Sequence, residues 1–385
     1  MSFKGTGNMN IFWFLDKQFD VSLSRVTHLE TFRYLQRNNN IFPVVGFKKS
    51  RRQFPELRNN IIYLHSPKIK YLKRIGFYWN QIKNFKSFVL KYQPTTIVFG
   101  TDNFLLLIKA ARMKKRYGYR CFFDVRTLPV SSKKAQYFIS EVMFKYALVI
   151  AARFFDGITY ITEEIKSYCK QKFNLPDHES EIWASGVDIN LFKPGHNDSA
   201  KNSFKIIYHG SIAANRGLQS AVQALALIRN HNIEFSFLGE GDGLNELKRL
   251  SCELGLGSRV VFYDSVPYYE VPKYILAADI GILPFPDWPG WNTSSPIKLF
   301  EYLSCGKPVI VTRIPAHTNV LKGSDFAFWA ESSSPEAIAS AIVKAFNSKD
   351  KFEAIGTKAR QLVVEKYSWE SQAQRLEGFL DRKNK

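Results

Sequence analysis

Strand-length apolar runs alternate with longer helical patterns through nearly all of this 385-residue chain, and that alternation limits the possible folds more than any other feature. In the first half, residues 10–15, 96–99, 120–125 and 157–161 read as buried strands. Helical patterns over 27–36, 104–117 and 131–155 lie between them. In the second half, strands are predicted at 204–208, 234–238, 260–263, 280–283 and 308–311. Helices are predicted at 218–230, 244–254, 271–277, 297–304 and 335–347, and a last helix over 369–382 has no strand after it. A strand, a crossover helix and a further strand form a parallel pair with a right-handed connection, so the pattern predicts α/β, doubly wound sheets. The chain is too long for one ordinary core. The polar stretch 194–202 is the expected linker. It divides a domain over 1–193 from one over 203–366, with a closing helix at 367–385. Ligands of open α/β sheets bind beyond the carboxyl ends of the strands, so the site is expected there.

Charge separates the halves. Of the net +20, residues 1–200 carry +17, and no acidic residue stands between Leu57 and Thr101. A one-sided basic half implies an anionic partner: acidic lipid headgroups, a pyrophosphate-linked acceptor or nucleic acid. The alternative is a solvated basic face. Basic residues interleave with aromatics at Phe77, Tyr78 and Trp79, and again over 131–155, where Lys133, Lys134, Lys145 and Arg153 stand beside Tyr137, Phe138, Phe144 and Tyr146. That composition fits a surface resting on anionic lipid. Apolar content of 45% with 23% charged residues excludes wholesale disorder. Four scattered cysteines in no metal-binding spacing point to a reducing, cytoplasmic setting. The longest greasy stretch, 142–161, contains Lys145, Arg153 and Asp156, so no transmembrane span is expected.

Three turns carry polar chemistry. In the run from Thr293 to Pro308, Ser295 suits an N-cap and Pro296 the first helical position. Lys298 then occupies the first turn, where a cation is disfavoured by about 0.3–1 kcal/mol unless an anion sits at the helix terminus. Glu301, three residues on, shares its face and could accept from ribose hydroxyls; an i,i+3 surface ion pair is the plainer alternative. After the strand ending at Tyr208, Gly210 and Ser211 lead to Arg216, placed for a diphosphate. Gly239, Glu240 and Gly241 follow a further strand. They miss the dinucleotide spacing, because Leu244 stands where the third glycine belongs. In the first half, Asp124 and Arg126 mark the carboxyl end of a strand. His209 and His317 read as core histidines.

Together these residues resemble glycosyltransferase family 4, retaining enzymes of the GT-B architecture, in which two Rossmann-like domains face each other across a cleft. The resemblance covers nearly all of residues 155–375. It rests most on Ser295-Pro296-x-Lys298-x-x-Glu301-Tyr302 running into Gly306-Lys307-Pro308, on Gly210 through Gly217, and on Gly239-Glu240-Gly241. It implies a donor site of Gly210, Ser211, Arg216, Gly239, Glu240, Gly241, Thr293, Ser295, Lys298 and Glu301. Arg216 and Lys298 would hold the leaving diphosphate, Glu301 the nucleoside, and Asp124 or Arg126 the acceptor or sugar. The family often has a second glutamate where Thr293 stands, a second basic residue at Ser211 and a histidine near Arg126. A glycine-rich loop common near the N-terminus is replaced here by the run from Asp20 to Arg25. The resemblance implies a metal-independent transfer from a nucleotide-diphosphate sugar to a glycan or lipid-linked acceptor, with no cofactor. An anionic membrane surface is the expected setting, on the inner, cytoplasmic face, without nucleic acid. The rivals are a basic nucleic-acid-binding α/β protein and a sugar-nucleotide epimerase of the same fold.

Overall fold

The computed structural model describes residues 8–18, 24–46, 60–64, 73–129, 134–195 and 203–382. The chain forms two compact units. One comprises residues 1–184 together with 369–385, and the other comprises 185–368.

Among the described residues the first unit holds seven strands: β1 (Asn10–Gln18), β2 (Asn40–Gly46), β3 (Ile62–Leu64), β4 (Thr96–Gly100), β5 (Arg120–Val125), β6 (Gly157–Tyr160) and β7 (Ser180–Ile182). They pair in the order β3-β2-β1-β4-β5-β6-β7, all parallel. Its helices are α1 (Ser24–Leu35), α2 (Lys73–Tyr92), α3 (Phe104–Tyr117), α4 (Lys134–Phe154) and α5 (Glu163–Phe173), and the chain's last helix, Trp369–Asp381, also packs here. On one face of the sheet Phe85, Leu107, Leu148 and Ile165, from α2 to α5, close over Phe14, Phe99 and Phe123. On the other, α1 and the last helix bury Phe32, Leu376 and Phe379 with Trp13, Phe122 and Trp183.

Among the described residues the second unit holds six parallel strands in the order β10-β9-β8-β11-β12-β13. These are β8 (Phe204–His209), β9 (Ile233–Leu238), β10 (Val260–Tyr263), β11 (Ile280–Leu283), β12 (Val309–Thr312) and β13 (Ala327–Ala330). Its helices run α6 (Leu218–Leu227), α7 (Leu244–Glu253), α8 (Val271–Ala277), α9 (Pro289–Asn292), α10 (Ile297–Ser304), α11 (Pro315–Leu321), α12 (Pro335–Phe346) and α13 (Phe352–Lys366). The last helix of the chain is α14. Both sheets reverse strand order beside their first strand, at β1/β4 and β8/β11, the switch points where α/β sheets open a crevice.

Two expectations shift. The chain passes between units at Ala184/Ser185, not at 194–202, most of which lies outside the described residues. Val187 and Phe192 are buried in the second unit's core, and Val187 bridges to Ser368, so the segment before Pro194 already belongs there. The closing helix does not complete the second unit. It returns to the first, where Phe379 fits against Gly157 so closely that a β-carbon on that glycine would stand 2.5 Å from the ring. Helix α4 is long and apolar enough to cross a membrane by length and composition. Its stripe of Phe144, Ala147, Leu148, Ala151 and Ala152 is instead buried against the sheet.

Candidate functional site

In the second unit the chain leaves β8 through His209 and turns at Gly210, whose φ of 92° favours glycine. The side chain of Lys298 lies across this glycine: a β-carbon there would stand 2.8 Å from Cε and 2.9 Å from Nζ. Lys298 reaches the spot from α10, where Pro296 occupies the N-cap and provides no side-chain hydrogen bond. Ser295 is therefore one position outside the expected cap, and its hydroxyl instead accepts from the Ser185 amide at 3.1 Å. The first turn of α10 holds no acidic residue. It presents backbone N–H groups beside a lysine, an arrangement suited to an anion.

Arg216 enters from the turn after β8. Its guanidinium stacks on Trp291 at 4.9 Å and Phe285 at 5.6 Å, and donates to the Tyr208 hydroxyl at 3.3 Å. Trp291 also donates from its indole nitrogen to Asn215 O at 2.8 Å, which fixes the turn. Gly217, with φ of 70°, lets that turn approach Pro284 beyond β11; a β-carbon would lie 2.0 Å from Pro284 O. Arg216 Nε is buried with no partner, and neither Arg216 nor Lys298 forms an ion pair with a carboxylate among the described residues. Burial and the neighbouring Arg216 push the Lys298 ammonium below its ordinary range, while Glu301 opposes the shift. Two cations held this way, half-buried and without an ion-pair partner among the described residues, favour an anion between them.

Glu301 is buried on the inner face of α10, so the surface ion pair is not formed. Burial raises its carboxyl, against the opposing effects of Lys298 and a hydrogen bond from Tyr268. His209 Nε2 stands 3.2 Å from Glu301 Oε2 but out of hydrogen-bonding alignment. Burial first, then Lys298, drives His209 far below its ordinary range, so it faces Glu301 as a neutral ring. His317 is a core residue, its Nδ1 2.8 Å from Thr312 O.

The remaining donor candidates divide. Gly239 and Gly241 pack onto the β8 turn: β-carbons there would lie 2.2 Å from Gly210 O and from Ile212 O. The Ile212 amide donates to Glu240 O at 2.8 Å and leaves the Glu240 side chain exposed. These glycines therefore hold the turn that carries Gly210, which accounts for their spacing without a dinucleotide. Ser211 lies in the same turn, its carbonyl accepting from Tyr208 Oη at 2.8 Å. Thr293 ends α9 and donates to Pro289 O at 2.9 Å.

Asp124 and Arg126 belong to the first unit. Asp124 Oδ1 accepts from Thr159 Oγ1 at 2.8 Å and from Trp183 Nε1 at 3.0 Å. Arg126 lies over the Trp183 ring at 3.8 Å and donates to Trp183 O at 2.7 Å. Burial raises the Asp124 carboxyl, offset by Arg126, and lowers Arg126 to about 10. Asp124 Oδ2 and Arg126 Nη2 remain buried without partners, one acceptor and one donor at the carboxyl end of β5. Sequence reasoning missed Tyr208, Tyr268, Phe285 and Trp291; His209 is buried, as expected of a core histidine, but faces Glu301. Its position next to Gly210 was the one available signal.

Comparison with known proteins gives a consistent picture. Residues 192–362 match the family model described as glycosyl transferases group 1. An uncharacterized glycosyltransferase of Methanocaldococcus jannaschii is 24% identical over 55% of this chain and 56% of its own length. The GDP-mannose-dependent alpha-(1-6)-phosphatidylinositol monomannoside mannosyltransferase of Mycolicibacterium smegmatis is 21% identical over 58% of this chain and 62% of its own. The chain thus matches little more than half the length of these relatives. In structure, Anabaena HepE, solved with UDP and glucose, superposes with a TM-score of 0.73 at 15% identity, covering 98% of this chain and all of that one. That likeness establishes the GT-B fold.

Proposed function

We propose that this chain, which belongs to the group 1 glycosyltransferases of the family-4 type, moves a sugar from a nucleotide-diphosphate donor to a glycan or lipid-linked acceptor with retention of configuration. The observation that carries the reading is the pair Arg216 and Lys298, neither of which forms an ion pair with a carboxylate among the described residues, beside the N-terminus of α10. As the bond from the sugar's C1 to the diphosphate oxygen breaks, negative charge grows on the leaving group. Fixed cations in a partly dry site stabilise that charge without reorganisation. The acceptor oxygen bonds to C1 on the same face, and its proton leaves with the diphosphate. Glu301, beside Lys298, accepts from the ribose hydroxyls. Asp124 and Arg126 offer the acceptor one hydrogen-bond acceptor and one donor.

Arg216 and Lys298 fill the role a divalent ion has in other transferases, so the reaction runs without metal or cofactor. The UDP bound by HepE and the phosphatidylinositol-based acceptor in the mycobacterial enzyme's name support a nucleotide-sugar donor and a membrane-linked acceptor. The setting is the inner, cytoplasmic face of an anionic membrane, and no nucleic acid takes part. The reading is tested by following the anomeric configuration of the product by NMR, with and without excess EDTA. A retained configuration and full rate in EDTA are expected. Inversion, or a strict magnesium requirement restored on titration, contradicts it.

A further inference from the structure

The run from Ser295 ends in a residue that the mechanism above leaves idle. Tyr302 is fully buried, and it meets the second unit's sheet at the switch point between β8 and β11. These strands pair only at Ile206 with Ile280 and at Ile207 with Gly281. Yet β8 runs on to His209 and β11 to Leu283, each still paired with its other neighbour, β9 and β12 respectively. The two strands therefore part after Ile207 and Gly281, and the crevice opens where they do.

Strands that part leave backbone groups in need of another partner. The Tyr302 hydroxyl supplies one. The His209 amide donates to Oη at 3.2 Å, and Oη donates to Ile207 O at 3.1 Å. One side-chain oxygen thus stands where β11 would have continued the ladder. Burial holds the phenol far above its ordinary range, so it donates and accepts as a neutral group. Its ring fills the gap between the strands. It meets the His209 ring edge-on at 5.0 Å, and a β-carbon on Gly281 would lie 2.4 Å from it. Gly281 has no positive φ, so its missing side chain serves to make room for the ring.

Lys298 stands one turn before Tyr302 on the same face of α10. Its side chain lies across Gly210, the residue after His209. The helix that carries the cation and the turn beneath it are therefore tied to one phenol. We propose that Tyr302 is a positioning residue for Lys298: wedged between β8 and β11, it keeps the crevice open and sets the height of the ammonium over the Gly210 turn. The inference deepens the transferase reading and rests on it for the diphosphate that Lys298 holds.

Tyr302→Phe keeps the ring and removes the hydroxyl. UDP, GDP and ADP are titrated by calorimetry, and whichever binds wild type is taken forward with its nucleotide sugar. Diphosphate affinity is expected to fall about tenfold and turnover further, since misplacing a group by about 1 Å can cost about 10²-fold. In a Lys298→Ala background the same change should alter either quantity by less than about twofold, because the group it positions is gone. A tyrosine that merely stabilised the fold would weaken both backgrounds alike. Gly281→Ala pushes the same ring from the other strand and should repeat the pattern, so the outcome does not hang on one variant's folding. Thermal melting identifies the folded proteins. Equal losses in both backgrounds would overturn the positioning role. So would wild-type affinity and turnover in Tyr302→Phe while Lys298→Ala is impaired; either result leaves the diphosphate reading standing. A Lys298→Ala protein that binds and turns over like wild type would remove that reading, and the inference with it.

Discussion

Lys298 lies across Gly210, so near that a methyl group on the glycine would stand 2.8 Å from the lysine's Cε. The close approach explains why the turn after β8 carries a glycine at φ 92°. It also ties the cation proposed to hold the diphosphate to one backbone position.

Gly210→Ala is therefore expected to act through Lys298. The strained φ costs about 1 kcal/mol of stability. Displacement of the ammonium should lower turnover by about 10²-fold, the scale of losing one preorganised charge. Steady-state kinetics alongside thermal melting separate the two effects. A variant with normal turnover would show that Lys298 can serve from elsewhere.

Acid stability should report on the buried histidines. Burial lowers His317 to about 4, opposed by the Thr312 carbonyl. Below 6.5 the unfolded chain binds a proton that the folded one refuses, so stability falls as pH drops from 6.5 toward 4. At full expression the loss is about 3 kcal/mol. His317→Gln should flatten this part of the stability curve. A slope unchanged in that variant would assign the acid sensitivity to other groups, with His209 next in line.

How much of this was legible in the sequence differs between the units. Helix 104–117 and the strands of 120–125, 260–263 and 280–283 are where periodicity places them. The misses have physical causes. Three-residue edge strands such as β3 and β7 are too short to show a period, and Pro43 disguises β2. Helix α2 was hidden because its lysines read as a charge run, although Phe77, Phe85 and Val89 sit at helical spacing. In the site, Lys298 stood out as a cation at a helix start, Arg216 as a cation in the turn entering a helix, and Glu301 as a carboxylate sharing a helix face with Lys298; that Glu301 is buried was not legible. Trp291 and Tyr208 were not legible, because an aromatic wall for Arg216 arises only when two distant turns fold together. The run from Asp20 to Arg25 lies outside the described residues but for the backbone of Ser24 and Arg25.

The return of α14 to the first unit gives a stability prediction. Gly157→Ala puts a methyl group 2.5 Å from the Phe379 ring. Overpacking of this kind costs about 1–3 kcal/mol, so denaturant melting should show a lowered midpoint. The companion change Phe379→Leu should recover part of the loss by making room. No loss in Gly157→Ala would mean that α14 is not seated there.

The central claim is that Arg216 and Lys298 hold a diphosphate, and calorimetric titration of UDP, GDP and ADP against the matching nucleosides tests it most directly. At least one diphosphate should bind where its nucleoside does not, and Lys298→Ala and Arg216→Ala should each lower turnover with that nucleotide's sugar by about 10²-fold or more. Both variants folding normally, yet binding the diphosphate and turning over its sugar like wild type, would contradict the account.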